Sequence, residues 1–177
     1  MKFIKNLSLL ILLLLSNLVL AQYTYAHMMV AQHGTLNVID DGVFMVLSLP
    51  VSAFEGVDDD KDGKLSDLEF AKHRPEIVKS IHNKVVLKDK SGKLTLQGMI
   101  LAPVSSHHSA KMPSPQLIVM GKFILVHPNS VLQYQVELFG KKAVEKSLEI
   151  TVTRKNSDRK QVIQLSPNKS NALLFVE

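Results

Sequence analysis

The sequence predicts an α+β chain, mainly an antiparallel β-sandwich with an inserted helix-loop-helix, and three observations predict it. Leu132, Tyr134, Val136 and Leu138 alternate with Gln133, Gln135 and Glu137, and Leu148, Ile150 and Val152 alternate with Glu149, Thr151 and Thr153. This is the period-two pattern of antiparallel strands with one buried face. Turn residues punctuate the chain between many such short runs, which favours a sandwich. One stretch, at about 50–83, leaves that period for a helical one around a dense acidic run.

The elements follow in chain order. Lys2 and Lys5 precede an apolar run at 9–15 that resumes at Leu18 and ends in a small-residue segment at 20–26. A basic start, an apolar middle and a small-residue end form the layout of a secretory signal peptide. A spanning helix needs ~20 predominantly apolar residues, and here Ser16 and Asn17 interrupt the run. The expectation is therefore a signal peptide at 1–26, cleaved after Ala21 or Ala26, and one β-rich domain at 27–177. The mature protein is expected to be periplasmic or secreted, without a membrane span.

Runs 35–39 and 43–49 read as a hairpin across Asp40-Asp41-Gly42, since Asp-Gly favours a tight turn. The second run, Val43 to Leu47, is apolar on both faces, as expected of a central strand covered on both sides. Ser66 followed by Glu69 is a capping box that starts a helix. Pro75 lacks an amide hydrogen and crowds the preceding turn, so one helix is expected over 66–74 and a second, or a kinked continuation, over 75–82. Beyond it, 84–88 and 93–101 read as strands joined by Asp89-Lys90-Ser91-Gly92, followed by strands at 116–126, 161–165 and 172–176. The polar segment 105–114, which holds His107 and His108, reads as an exposed loop.

With no cysteine, an exported chain has no disulfide and must rely on its core or a bound metal. Loss of Lys2 and Lys5 with the presequence reduces the net charge from +5 to about +3, and the remaining basic residues are scattered without interleaved aromatics. No nucleic-acid footprint follows from that. The acidic residues are different, because Glu55, Asp58, Asp59, Asp60, Asp62, Asp67 and Glu69 crowd one short stretch. Such a cluster repels itself unless a cation sits in it.

The segment Asp58-Asp59-Asp60-Lys61-Asp62-Gly63-Lys64-Leu65-Ser66-Asp67-Leu68-Glu69 fills every constrained position of D-x-[DN]-x-[DN]-G-x₅-E. Here the chain resembles the EF-hand family. The resemblance implies side-chain oxygens from Asp58, Asp60 and Asp62, the backbone carbonyl of Lys64, a water held by Ser66 and a bidentate Glu69. Together these give the roughly seven-oxygen shell that Ca²⁺ prefers, whereas Mg²⁺ demands a tighter octahedron. Gly63 permits the sharp turn. Leu65 stands where the family forms a short β-bridge to a partner loop, and Phe54 and Phe70 stand where its two helices pack. The resemblance covers about 50–74, and no second loop exists. Aligning Gly92 to the turn position places Leu87 and Gly98 at the first and last ligand positions. A lone loop needs a brace from the β-domain or from another copy.

His27, Met28, Met29 and His33, together with His107, His108 and Met112, offer imidazole and thioether groups, the ligands that select copper. Cleavage after Ala26 would place an amine beside the His27 ring, so a copper-handling β-sandwich is the alternative from a different functional class. A calcium-dependent protein-interaction module is another alternative. No H-E-x-x-H, no G-x-S-x-G and no cysteine nucleophile is present. The expectation is thus an exported, non-enzymatic protein holding one Ca²⁺, with Asp58, Asp60, Asp62, Lys64, Ser66 and Glu69 as metal residues.

Overall fold

The computed structural model describes residues 31–104, 114–127, 130–155 and 157–175. The expected signal peptide, His27, Met28, Met29 and the polar stretch with His107, His108 and Met112 lie outside these residues. The described part is dominated by strands: β1 (His33–Ile39), β2 (Gly42–Pro50), β3 (Val85–Asp89), β4 (Gly92–Lys93), β5 (Leu96–Val104), β6 (Gln116–Ile124), β7 (Leu132–Val136), β8 (Leu148–Arg154), β9 (Lys160–Leu165) and β10 (Asn171–Leu174). One α-helix, α1 (Asp67–Lys84), follows the acidic loop. Among the described residues, no helix is long and apolar enough to cross a membrane.

The strands form a six-stranded sheet, β5-β6-β2-β1-β8-β9, and a four-stranded sheet, β10-β7-β3-β4. Their inner faces share one core. Tyr134 of β7 is fully buried and its hydroxyl donates to the Met45 sulfur of β2 at 3.3 Å, while its ring meets the edge of Phe123 of β6 at a centroid distance of 6.5 Å. Burial keeps the Tyr134 phenol protonated far above the ordinary range, since a phenolate there would lie in apolar surroundings.

The β-rich expectation holds, but the inserted helix-loop-helix does not. The residues between β2 and the loop form only a short 3-10 turn, Val51–Ala53, so no helix precedes the acidic segment. The physical reason is that β2 stays paired with β6 as far as Pro50 opposite Gln116, and the Val51 amide then bonds to the Pro115 carbonyl at 3.0 Å. Seven residues remain before Asp58, of which Val51, Ala53, Phe54 and Val57 are buried against the sheet rather than along one helical stripe. Phe54 is in the core, as the other half of the expected pair of flanking aromatics, but at the end of a turn rather than on a helix.

The helix after the loop also differs from expectation, since it runs unbroken through Pro75. Ile77 and Ile81, one turn apart, are fully buried, and Phe70 packs against the same core. Burying such a side chain stabilises by about 1.5–3 kcal/mol, and two of them offset the roughly 3 kcal/mol cost of an internal proline. Pro75 and Ala71, the residue whose carbonyl the missing amide would have met, are both exposed, so water can satisfy that carbonyl.

Three further differences concern the sheets. β1 and β2 form the expected hairpin, but Ile39 pairs with Gly42 and the turn is Asp40-Asp41. Gly42 serves close approach instead, because a Cβ there would lie 2.5 Å from the Phe123 carbonyl oxygen. β2 is central, yet its outer face is open at Phe44, which is 48% exposed and has the Lys122 ammonium 5.4 Å from its ring centroid. β1 and β8 pair in parallel, whereas every other paired strand is antiparallel. The expected hairpin at 84–101 is cut short after Lys93. The Leu94 amide still bonds to the Leu87 carbonyl at 2.8 Å, the Thr95 carbonyl already accepts from Ile124 at 3.1 Å, and β5 continues in the other sheet.

Candidate metal centre

The acidic loop leaves the 3-10 turn through Gly56, whose φ is +71°, and closes on the start of α1. Within it, Lys61 and Gly63 have φ of +62° and +79°, so the chain reverses tightly. Gly63 accepts this conformation at no steric cost. The reversal turns backbone amides toward the carboxylates. Asp58 Oδ1 accepts from the Asp62 amide at 3.1 Å and Asp58 Oδ2 from the Gly63 amide at 2.9 Å. Asp60 Oδ1 also accepts from the Asp62 amide, at 3.1 Å, and Asp62 Oδ1 accepts from the Lys64 amide at 2.8 Å.

Glu69 closes the loop from the first turn of α1. Its Oε1 accepts from the Asp59 amide at 2.7 Å, while its Oε2 accepts from the Ser66 amide at 2.9 Å and the Ser66 hydroxyl at 2.7 Å. The Glu69 amide in turn donates to the Ser66 hydroxyl oxygen at 3.3 Å, which completes the expected capping box. Glu69 is 8% exposed. The Ser66 hydroxyl, then the Ser66 amide, hold its carboxyl below the usual range; partial burial opposes this, and the Asp59 and Asp60 amides add to the lowering.

Carboxylate oxygens of Asp58, Asp60 and Glu69 lie within 4.8 Å of one another. Of the six expected metal residues, these three are brought together. Asp62 stands outside that group with its Oδ1 bonded to Lys64, and the Ser66 hydroxyl is engaged in the cap. Lys64 contributes its amide to the loop network, and its side chain takes no part in the described bonds of the carboxylates. Hard carboxylate oxygens converging from a tightly turned loop suit a hard divalent cation. The residues therefore fit Ca²⁺ by the chemistry of their donors.

Two features were invisible in the sequence pattern. Asp59, between two of the converging residues, points away from them and bonds to Lys72 Nζ at 2.7 Å and His73 Nε2 at 3.0 Å on α1. Lys72, then His73, hold the Asp59 carboxyl below its ordinary value. The second feature is the partner that braces the loop. Leu65 forms an antiparallel bridge with Ser114, its amide donating to the Ser114 carbonyl at 2.8 Å and its carbonyl accepting from the Ser114 amide at 2.9 Å. Leu65 makes a β-bridge as expected, but to the β-domain of its own chain. The acidic spacing signals the ligands; nothing in the sequence signals a partner so distant.

His33, the remaining described member of the alternative copper set, bonds to the Ala31 carbonyl at 2.8 Å and faces Glu149 at 3.5 Å. No protein-family profile matches this chain, and no curated protein matches it.

Proposed function

We propose that this is an exported, non-enzymatic protein whose 58–69 loop binds one Ca²⁺ with EF-hand ligand spacing, and that the ion is structural. The observation that carries the reading is the convergence of Asp58, Asp60 and Glu69 oxygens within 4.8 Å, in a loop whose Gly63 is at φ +79°. Three carboxylates at that separation repel one another, and a divalent cation replaces the repulsion with attraction to each. Asp62, Lys64 through its carbonyl, and Ser66 through water would supply the remaining ligands.

A structural role follows from where the loop is attached. Glu69 is at once a ligand and the third residue of α1, so an ion on its carboxylate bears directly on the start of the helix that carries Ile77 and Ile81 into the core. Extracytoplasmic calcium modules often bind in the ~10⁻⁴ to 10⁻³ M range, and a site of that affinity is filled constitutively outside the cell.

Calorimetric titration of the purified mature protein with Ca²⁺, Mg²⁺, Zn²⁺ and Cu²⁺ tests the proposal. The expected result is one calcium per chain. No calcium binding, or two equivalent calcium sites, overturns it, and stoichiometric Cu²⁺ binding lost in His27→Ala would favour the copper reading instead.

A further inference from the structure

The chain is pinned to one dipeptide at two points, before the metal loop and within it. The Val51 amide bonds to the Pro115 carbonyl at 3.0 Å, and Leu65 exchanges both of its backbone bonds with Ser114. Ser114 itself is 1% exposed, an unusual place for a serine outside the strands. Its hydroxyl is shared between the carbonyls of Val104 and Gln116, the latter at 2.8 Å, and accepts from the Gln116 amide at 3.4 Å. The ends of β5 and β6 are thereby held together beside the loop, and Ser114 is fixed from both sides.

We infer that Ser114 is a positioning residue for the metal site, and that the Ser114-Pro115 dipeptide braces the lone loop from within the chain. This inference rests on the calcium reading above. Leu65 stands between Asp62 and Glu69, so anchoring its amide and carbonyl fixes the backbone between these two expected ligands. Pinning Val51 fixes the other stem, ahead of Asp58 and Asp60. A loop ordered before binding spends less affinity on ordering when the ion arrives. By linkage, an ion that prefers the braced loop tightens the brace by the same factor.

The hydroxyl is the part of Ser114 that substitution can remove while leaving its backbone bonds possible. Ser114→Ala is expected to weaken calcium binding about fivefold, the scale of one buried hydrogen bond expressed through the loop. Tyr134→Phe removes another buried hydroxyl from the core between the sheets, and it should lower thermal stability while leaving calcium affinity unchanged. In the unsubstituted protein, the amides of Leu65 and Ser114 should exchange with solvent at least severalfold more slowly when calcium is bound.

These measurements separate the two readings. If the unsubstituted protein binds no calcium, the calcium reading and this inference fall together. If it binds calcium, but Ser114→Ala binds with unchanged affinity and the Leu65 and Ser114 amides exchange at the same rate with and without the ion, the inference is overturned and the calcium reading stands. If Ser114→Ala does not fold, the exchange rates of the unsubstituted protein decide alone.

Discussion

Ser66 places both its hydroxyl and its amide on one oxygen of Glu69, Oε2, at 2.7 and 2.9 Å. A carboxylate oxygen has two lone-pair directions, so Oε2 is fully used by the helix cap. In the proposed calcium-bound state, bidentate coordination by Glu69 would require the Ser66 hydroxyl to turn away, which would free it to hold the water expected at that loop position. On the proposed calcium reading, helix capping and metal binding would share this single carboxylate.

Glu69→Gln should separate these two duties. The substitution removes the charge, and it sets an NH₂ group against a donor, either the Asp59 amide or the Ser66 amide. Calcium binding is expected to weaken by at least about tenfold, since hydrogen-bonded and coordinated charges contribute strongly. In chelator the variant should still be about 1–2 kcal/mol less stable than the unsubstituted protein, the cost of a mismatched, buried polar contact. Titration calorimetry and thermal melting read the two effects; unchanged calcium affinity would remove Glu69 from the shell.

Away from the loop, Asp89 predicts a measurable acid dependence. Its carboxyl is held below the ordinary 3.8 first by the Ser91 hydroxyl and then by the Ser91 amide at 2.7 Å; burial opposes this, and His127 adds to the lowering. Because the folded value is depressed, the contribution to stability is present above 3.8 and is lost as pH falls through the folded value. Asp89→Asn should therefore melt lower at neutral pH, with the gap narrowing below pH 3.8. Melting curves from pH 2 to 7 in chelator, about five points, check it; a gap that is constant with pH would mean that the charge is not what matters.

Local signals are legible in the sequence, whereas long-range ones are not. The alternation at Leu132 to Val136 and at Leu148 to Val152 names β7 and β8 because period two is a property of each strand alone. The capping box at Ser66 and Glu69 is equally local. The parallel partnership of β1 with β8, and the bridge of Leu65 to Ser114, depend on which distant segments meet, and no spacing encodes that. The missing first helix is a case of tertiary override. Val51 to Val57 are apolar enough for either structure, and the pairing of β2 with β6 up to Pro50 decided against a helix.

Pro75 gives the clearest test of that override. Packing of Ile77 and Ile81 carries the helix past a residue that removes one of its bonds and sits exposed. Pro75→Ala should therefore stabilise the protein by about 1–3 kcal/mol, with the return of unfolded-state entropy, about 0.4–1 kcal/mol, already subtracted from the larger helix gain. Chemical denaturation measures it. A destabilised variant would show that the proline shapes α1 in a way its packing needs.

Calcium removal tests how far the ion's influence extends. Binding to the folded state alone adds RT ln(1 + [L]/Kd), about 2.7 kcal/mol at a hundredfold excess over Kd. Loss of the ion leaves Asp58, Asp60 and Glu69 facing one another, which should loosen the loop and the first turn of α1. The strands have bonds and packing of their own: β2 pairs along its whole length with β6, and Tyr134 and Phe123 pack edge to face in the core. Chelation is therefore expected to lower the melting temperature while leaving the β-strand circular dichroism signal intact at temperatures below it. Identical melting curves with chelator and with saturating calcium would show that the ion is not structural, and loss of the β signal at room temperature would show that it holds both sheets together.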